Sequence, residues 1–459
     1  MLSRLLQPEI KSLIEERKLS ILKEILQDWT PADIAELLID LDEKERVIIF
    51  RLLHTELAAD TFEYLDFDTQ MDLLKAMGNE EVAAILNEMD PDDRTALFEE
   101  LPASATKQLI QLLSPEERRL AVTLLGYPEN SVGRLMTPDY IAVKPDWTIQ
   151  QTLDYIRENG KNKETLNILY VVDDKGKLID DIKIRDILLA PLDSRISDLM
   201  DENYVALNVY DDQEKAVEMF RKYDRVALPV VDHSGNLIGI VTFDDVMDVA
   251  VEETTEDIQK QAAVEVLDEP YPTIPILKMI KKRAGWLSIL FIGEMFTASA
   301  MAVFKKKMER AVVLALFVPL IISSGGNSGS QAATLVVRAM ALGEVTLKDW
   351  FLVIRRELLT GLTLGLILAT IGFIRIYVWQ MASHIYGEHW FFVAITVSIS
   401  LIGVVLWGTI TGSTLPFILK RLGFDPASSS APFVATLVDV TGIVIYFTVA
   451  MFVLGGKLL

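Results

Sequence analysis

Two apolar runs, residues 311–337 and 390–419, limit what this chain can fold into, because each passes 27 or 30 residues without a charge. A helix needs only about 20 apolar residues to cross hydrocarbon. Three further stretches, 284–304, 352–380 and 431–456, are nearly as apolar. Five spanning helices follow, placing an all-α polytopic membrane domain at residues 273–459. The net charge of -22 fits such a protein only if the charge lies elsewhere in the chain. It does: residues 1–270 hold 28 Lys+Arg against 58 Asp+Glu, a net of -30, while residues 271–459 hold 16 against 8, a net of +8.

The opening MLSRLLQPEIKSLIEERK lacks an uninterrupted apolar core and a small-residue cleavage site, so it reads as an amphipathic helix and not a signal peptide. The acidic half is expected to stay in the cytosol beneath a multi-pass plasma-membrane domain. Arg338, Lys348, Arg355, Arg356, Lys420 and Arg421 then fall on inner loops, as positive-inside bias requires. Lys305–Lys307 and Arg310 fall on an outer loop and run against that bias. There is no cysteine, and the four histidines form no helical ligand pair, which excludes disulfides and thiolate chemistry. No nucleophile–base pair or phosphate loop marks an enzyme, and nothing points to nucleic acid.

Residues 1–129 read as an all-α superhelix. LIDLDEKERVIIFRLL (38–53), LNEMDPDDRTALFEEL (86–101) and IQLLSPEERRLAVTLL (110–125) each end one helix and begin another. Asp42, Asp90 and Ser114 are the expected N-caps. Residues 130–248 contain an α/β repeat, in which LNILYVVDDKGKLIDDIKIRDIL (166–188) matches RVALPVVDHSGNLIGIVTFDDVM (225–247). This unit resembles a tandem pair of CBS domains. The second copy carries Gly239, Thr242 and Asp245 in the usual spacing; the first departs from it, with Asp181 read at the glycine position. Such pairs often bind adenine nucleotides such as ATP, which the resemblance assigns to Arg185 and Asp186. Residues 249–272 form a charged connecting helix leading to the membrane.

An ionisable group inside hydrocarbon usually marks a pathway. Glu294 and Asp439 are two such carboxylates. Glu294 is either a protonated or hydrogen-bonded acid or part of a path. Asp439 follows Pro432, which lacks a backbone donor, and lies between Thr436 and Thr441. The second span carries SSGGNSGSQAATL (323–335), whose glycines allow either close helix packing or exposed carbonyls, and whose Asn327 and Gln331 need water or a polar partner. Oxygen ligands with one full negative charge suit a hard cation such as Mg²⁺ or Ca²⁺. A homodimer would bring two Asp439 carboxylates to one axis and balance a divalent charge.

GGNSGSQAATL (325–335), PFVATLVDVTG (432–442), DPDD (90–93) and the CBS pair together resemble the MgtE family of magnesium channels over essentially the whole chain. The resemblance implies a homodimer with five spans per chain, a pore at the dimer axis, and Mg²⁺ as both substrate and regulator. It makes Asp439 the main pore ligand, with carbonyls of Ala435, Gly326 and Gly329 beside it, and Asn327, Gln331, Pro432 and Glu294 lining the region. It places regulatory Mg²⁺ on Asp212, Glu214, Asp224, Asp245, Asp248, Glu253, Glu256 and Asp257, with Asp92 and Asp93 from the N domain and Asp425 from an inner loop. A membrane-anchored nucleotide sensor without transport, and an anion channel bearing CBS domains, are the competing readings. The first leaves Asp439 unexplained, and an acidic pore repels anions.

Overall fold

The computed structural model describes residues 2–267, 271–272 and 274–455. Two compact units divide the chain, Met1–Val251 and Glu252–Leu459.

In the first unit, the N domain consists of α1 (Leu2–Glu15), α2 (Leu19–Leu26), α3 (Pro31–Ile39), α4 (Glu43–Phe50), α5 (Thr55–Glu63), α6 (Phe67–Ala76), α7 (Asn79–Glu88), α8 (Pro91–Glu100), α9 (Ala103–Ile110) and α10 (Pro115–Leu124). Their apolar faces share one core that includes Leu22, Ile34, Leu38, Phe62 and Leu86. Helices this short leave several terminal carbonyls without intrahelical donors, and a periodic side chain supplies them. Arg46 Nε donates to the Leu38 carbonyl (2.9 Å), Gln70 Nε2 to Phe62 (2.9 Å), Arg94 Nη1 to Leu86 (2.9 Å) and Arg118 Nε to Ile110 (3.0 Å). Donors and acceptors both recur every 24 residues, so the repeat has a fourth copy, residues 62–77, beyond the three legible in sequence. Asp42 and Ser114 cap their helices as expected. Asp90 occupies the cap position of α8, but its side chain caps nothing.

The CBS pair follows as α11 (Val132–Leu135), β1 (Ala142–Val143), α12 (Ile149–Asn159), β2 (Ile168–Val172), β3 (Leu178–Lys183), α13 (Ile184–Leu189), β4 (Leu207–Asn208), α14 (Gln213–Tyr223), β5 (Ala227–Val231), β6 (Leu237–Thr242) and α15 (Phe243–Gln261). Each copy folds into a three-stranded sheet with one parallel and one antiparallel pairing. The registers coincide: Ile168 pairs with Lys183 as Ala227 pairs with Thr242, and Val171 with Asp180 as Val230 with Gly239. Asp180, not Asp181, therefore stands at the glycine position of the first copy. A side chain at Gly239 would strike Met136 Sδ at 2.8 Å. Asp180 instead meets a loop, and its buried carboxylate accepts the Asp201 (2.8 Å) and Glu202 (3.0 Å) amides. Asp181 pairs with Arg225 Nη1 at 2.9 Å.

The second unit begins within α15 and contains α16 (Ile276–Val303), α17 (Lys305–Arg310), α18 (Val312–Ala315), α19 (Val318–Ala341), α20 (Trp350–Ser383), α21 (Trp390–Arg421) and α22 (Ala431–Leu454). Among the described residues, five helical segments are long and apolar enough to cross a membrane. The polar glycine segment is fully helical within α19. Its close approach is to α21: an added Cβ on Gly412 would sit 2.0 Å from the Gly329 carbonyl oxygen, and one on Gly408 2.4 Å from that of Gly325. Two G-x-x-x-G pairs thus let the backbones touch, as small residues do in membranes.

Candidate metal centres

Within the membrane unit, Gly326 is turned away from that crossing and toward α22. A Cβ there would lie 3.3 Å from Ala435 Cβ and 3.4 Å from Asp439 Oδ1. Gly326, Ala435 and Asp439 are therefore brought together, whereas Gly329 packs against Val434 and Gly408. Asn327 and Gln331 project from the uncovered face of α19, with Asn327 Nδ2 donating to Ser323 Oγ at 3.3 Å. Pro432 lies in the first turn of α22, where its missing N–H leaves no bond unmade. Its carbonyl accepts the Thr436 hydroxyl at 3.0 Å. Thr441 is engaged too, accepting the Trp407 indole N–H at 2.9 Å. Glu294 is exposed on α16 and lines an open cavity of about 780 Å³ with Ser288, Pro432, Ala435 and Thr436.

In the first unit, folding gathers acids from three places. Carboxylate oxygens of Glu63, Asp90 and Asp93 lie within 4.8 Å of one another. Asp92 is buried, and its Oδ1 has no hydrogen-bond partner. Asp245, whose Oδ2 accepts the Thr242 hydroxyl, acts electrostatically on both Asp92 and Asp93. Glu164, Asp244 and Asp248 complete the group.

Burial is the first cause, and neighbouring carboxylates the second, of a common upward shift. Glu63 is pushed up to about 9 by burial and Asp93. Glu164 rises to about 8 by burial and Asp90. Asp93 rises to about 7 by burial and Asp245. Asp245 rises to about 6, chiefly by burial. Asp92 is raised well above the carboxylate range, and Asp90 and Asp248 are raised as well. Carboxylates held this close without a cation must protonate or separate. An all-oxygen donor set of this kind fits a hard divalent ion.

Of the acids singled out in sequence, Asp92, Asp93, Asp245 and Asp248 fall in this group, whereas its members Glu63, Asp90, Glu164 and Asp244 were not singled out as ligands. Glu63 carries a visible signal, since an acid at the C-terminal end of α5 opposes the helix dipole. Glu164, set in the lysine-rich loop KNKETLN, carries none.

The other regulatory candidates lie apart. Asp212 caps α14 through the Glu214 amide (2.9 Å), and Asp224 closes that helix at φ 49°. The intervening 11 residues span about 16 Å, so the two carboxylates cannot share an ion within one chain. In the second unit, the end of α15 meets the loop before α22. Asp257 is pushed up to about 6 by burial and by Asp425, with Glu253 and Glu256 adding to it. Arg185, exposed on α13, and the half-buried Asp186 contact each other at 3.5 Å.

Three comparisons bear on this geometry. A family model described as a divalent cation transporter matches residues 318–449, the MgtE intracellular N domain matches 29–130, and CBS domain models match 132–193 and 196–252. The magnesium transporter MgtE of Thermus thermophilus is 36% identical over 449 residues, covering 97% of this chain and 98% of that protein. The magnesium transporter MgtE of Bacillus subtilis is 28% identical, covering 95% of each. Among solved structures, the cytosolic domain of the Mg²⁺ channel MgtE in complex with ATP matches at 32% identity and a TM-score of 0.51, covering 53% of this chain and 99% of that one.

Proposed function

From the premise that this chain belongs to the MgtE family of magnesium transporters, we propose that it forms a homodimeric Mg²⁺-selective channel for Mg²⁺ uptake, closed by Mg²⁺ bound to its acidic cytosolic domains. The observation that carries this reading is Asp439 set against Gly326 and Ala435, beside an uncovered face bearing Asn327 and Gln331. Only 6% of the apolar window of α16 is buried within the chain, against 50% for α21. A second copy covering the polar face would pair the Asp439 carboxylates and enclose a wet axis. Mg²⁺ dehydrates reluctantly, and a carboxylate pair can hold it with most of its water. Gly329, Pro432 and Glu294 then support or flank the path, with Glu294 able to concentrate cations beside it.

Gating follows from charge. With the ion scarce, Glu63, Asp90, Asp92, Asp93, Glu164, Asp244, Asp245 and Asp248 repel one another and loosen the N domain from the CBS pair. With the ion abundant, bridging restores the contact, and Glu253, Glu256, Asp257 and Asp425 offer the ion a further site at the end of the connecting helix. Asp212, Glu214 and Asp224 add sites at the ends of α14. The differential affinity of Mg²⁺ for the compact form shifts the population. ATP would bind near Arg185 and Asp186, as such pairs do.

Flux into liposomes tests the pore. Asp439→Asn is expected to lower Mg²⁺ flux at least about a hundredfold, the scale of a lost charge in a low-dielectric passage. Wild-type flux from that variant would overturn the assignment.

A further inference from the structure

Lys260 stands inside the acidic group at the end of the connecting helix. Its Nζ lies 2.7 Å from Asp425 Oδ2 and also contacts Glu256 one turn earlier. The other Asp425 oxygen accepts the Ala427 amide at 2.8 Å, which fixes the carboxylate to the short turn Pro426–Ser428. That turn leads to Ser430, the N-cap of the helix that carries Asp439. Beyond α15 the chain folds back, with the Leu267 amide donating to Gln259 Oε1 (2.7 Å) and the Glu265 amide to the Lys282 carbonyl of α16 (3.1 Å). Asp257 and Glu253 complete the acidic surroundings.

Two carboxylates on one ammonium, with Asp257 and Glu253 close by, raise the question of which cation holds them when divalent ions are scarce. We propose that Lys260 is a tethered stand-in for the divalent cation: it keeps the C-terminal end of the connecting helix latched to Asp425 without Mg²⁺, and Mg²⁺ can take over that task. The reading deepens the gate described above and rests on it. It makes the end of α15 a fixed pivot, with the ion-sensitive motion confined to the part of the helix nearer the CBS pair. An ammonium offers one charge and three donors with loose geometry. It can hold two carboxylates together but leaves the group net negative, so a divalent ion remains attracted to it.

Hydrogen–deuterium exchange on the full-length protein in detergent tests this without measuring flux. In the wild type, the segment 256–267 is expected to exchange slowly in EDTA and in saturating Mg²⁺ alike. Lys260→Gln is expected to speed exchange there about tenfold or more in EDTA, the scale of one lost charge-assisted hydrogen bond, and to return near the wild-type rate in Mg²⁺. Lys260→Arg keeps the charge and should stay slow in both. Unchanged exchange of Lys260→Gln in EDTA would show that the ammonium holds nothing. Fast exchange that Mg²⁺ fails to slow would make Lys260 a brace that the ion cannot replace; either result overturns the proposal. The gate is scored separately on residues 86–96, whose exchange Mg²⁺ should slow in every variant. No slowing there would sink the gate while leaving the lysine's role without Mg²⁺ to be judged on its own segment.

Discussion

Gly412 and Gly326 look alike in sequence and have opposite duties. Adding a methyl at Gly412 places it 2.0 Å from a backbone oxygen of α19, so the two helices must separate. Overpacking of this kind costs about 1–3 kcal/mol, and Gly412→Ala is expected to lower the detergent melting temperature measurably. At Gly326 the methyl would meet Ala435 Cβ at 3.3 Å and Asp439 Oδ1 at 3.4 Å, a tight fit that a shift of a few tenths of an ångström relieves. Gly326→Ala should therefore fold and melt like the wild type while its Mg²⁺ flux falls, since the methyl displaces water or ion beside the carboxylate. Equal melting losses for the two variants would refute the division. Asp439 was legible because a lone charge in an apolar run admits few explanations. Gly412 was not singled out, although GTITG at 408–412 repeats the G-x-x-x-G spacing of GGNSG at 325–329.

Among the elements, the N-domain helices owe their array to the donors at 46, 70, 94 and 118. Arg94 is fully buried, and it binds the Leu86 and Met89 carbonyls and Glu117. Arg118 makes comparable bonds from an exposed position. Arg94→Met strands buried carbonyls and the Glu117 charge, so it should destabilise the N domain by about 3 kcal/mol. Arg118→Met, whose carbonyls can turn to water, should cost about 1 kcal/mol or less. Denaturant melts of the two variants check the ranking, and equal losses would contradict it. Caps and prolines revealed three copies of this repeat because they are local signals. The copy at 62–77 was hidden because glutamine replaces the arginine there, and only the bond to the Phe62 carbonyl betrays the equivalence. The slip of one residue at Asp180 has a different origin. The match of 166–188 to 225–247, carried through residue by residue, already sets Asp180 opposite Gly239, and the ladder register agrees with it.

At the scale of the whole chain, the carboxylates proposed to bind the ion also bind protons, and the two are linked with a definite sign. Glu63, Glu164, Asp93 and Asp245 are raised to about 9, 8, 7 and 6 in the folded state. A carboxyl raised on folding favours the compact form when protonated. That contribution is complete below the unfolded value near 4 and is lost as pH rises through 6 to 9. Groups shifted the other way, such as Asp173 and Asp232, act only below their ordinary value of 3.8, outside this window. In EDTA the melting temperature of the soluble region is therefore expected to fall from pH 5 to pH 9, by at least about 4 °C for a few kcal/mol over a domain this size. Mg²⁺ competes with the same protons, so the stabilisation it adds should grow over that range and reverse the fall. Asp93→Asn removes one charge from the centre of the group and should flatten both trends. A melting temperature that does not change with pH in EDTA would mean that these carboxylates stay apart without the ion. The net charge of -30 in residues 1–270 marked the half in which acids would gather, but which of them converge is set by the approach of Glu63 to the start of α8 and of α8 to the start of α15. That is a tertiary fact no local pattern encodes.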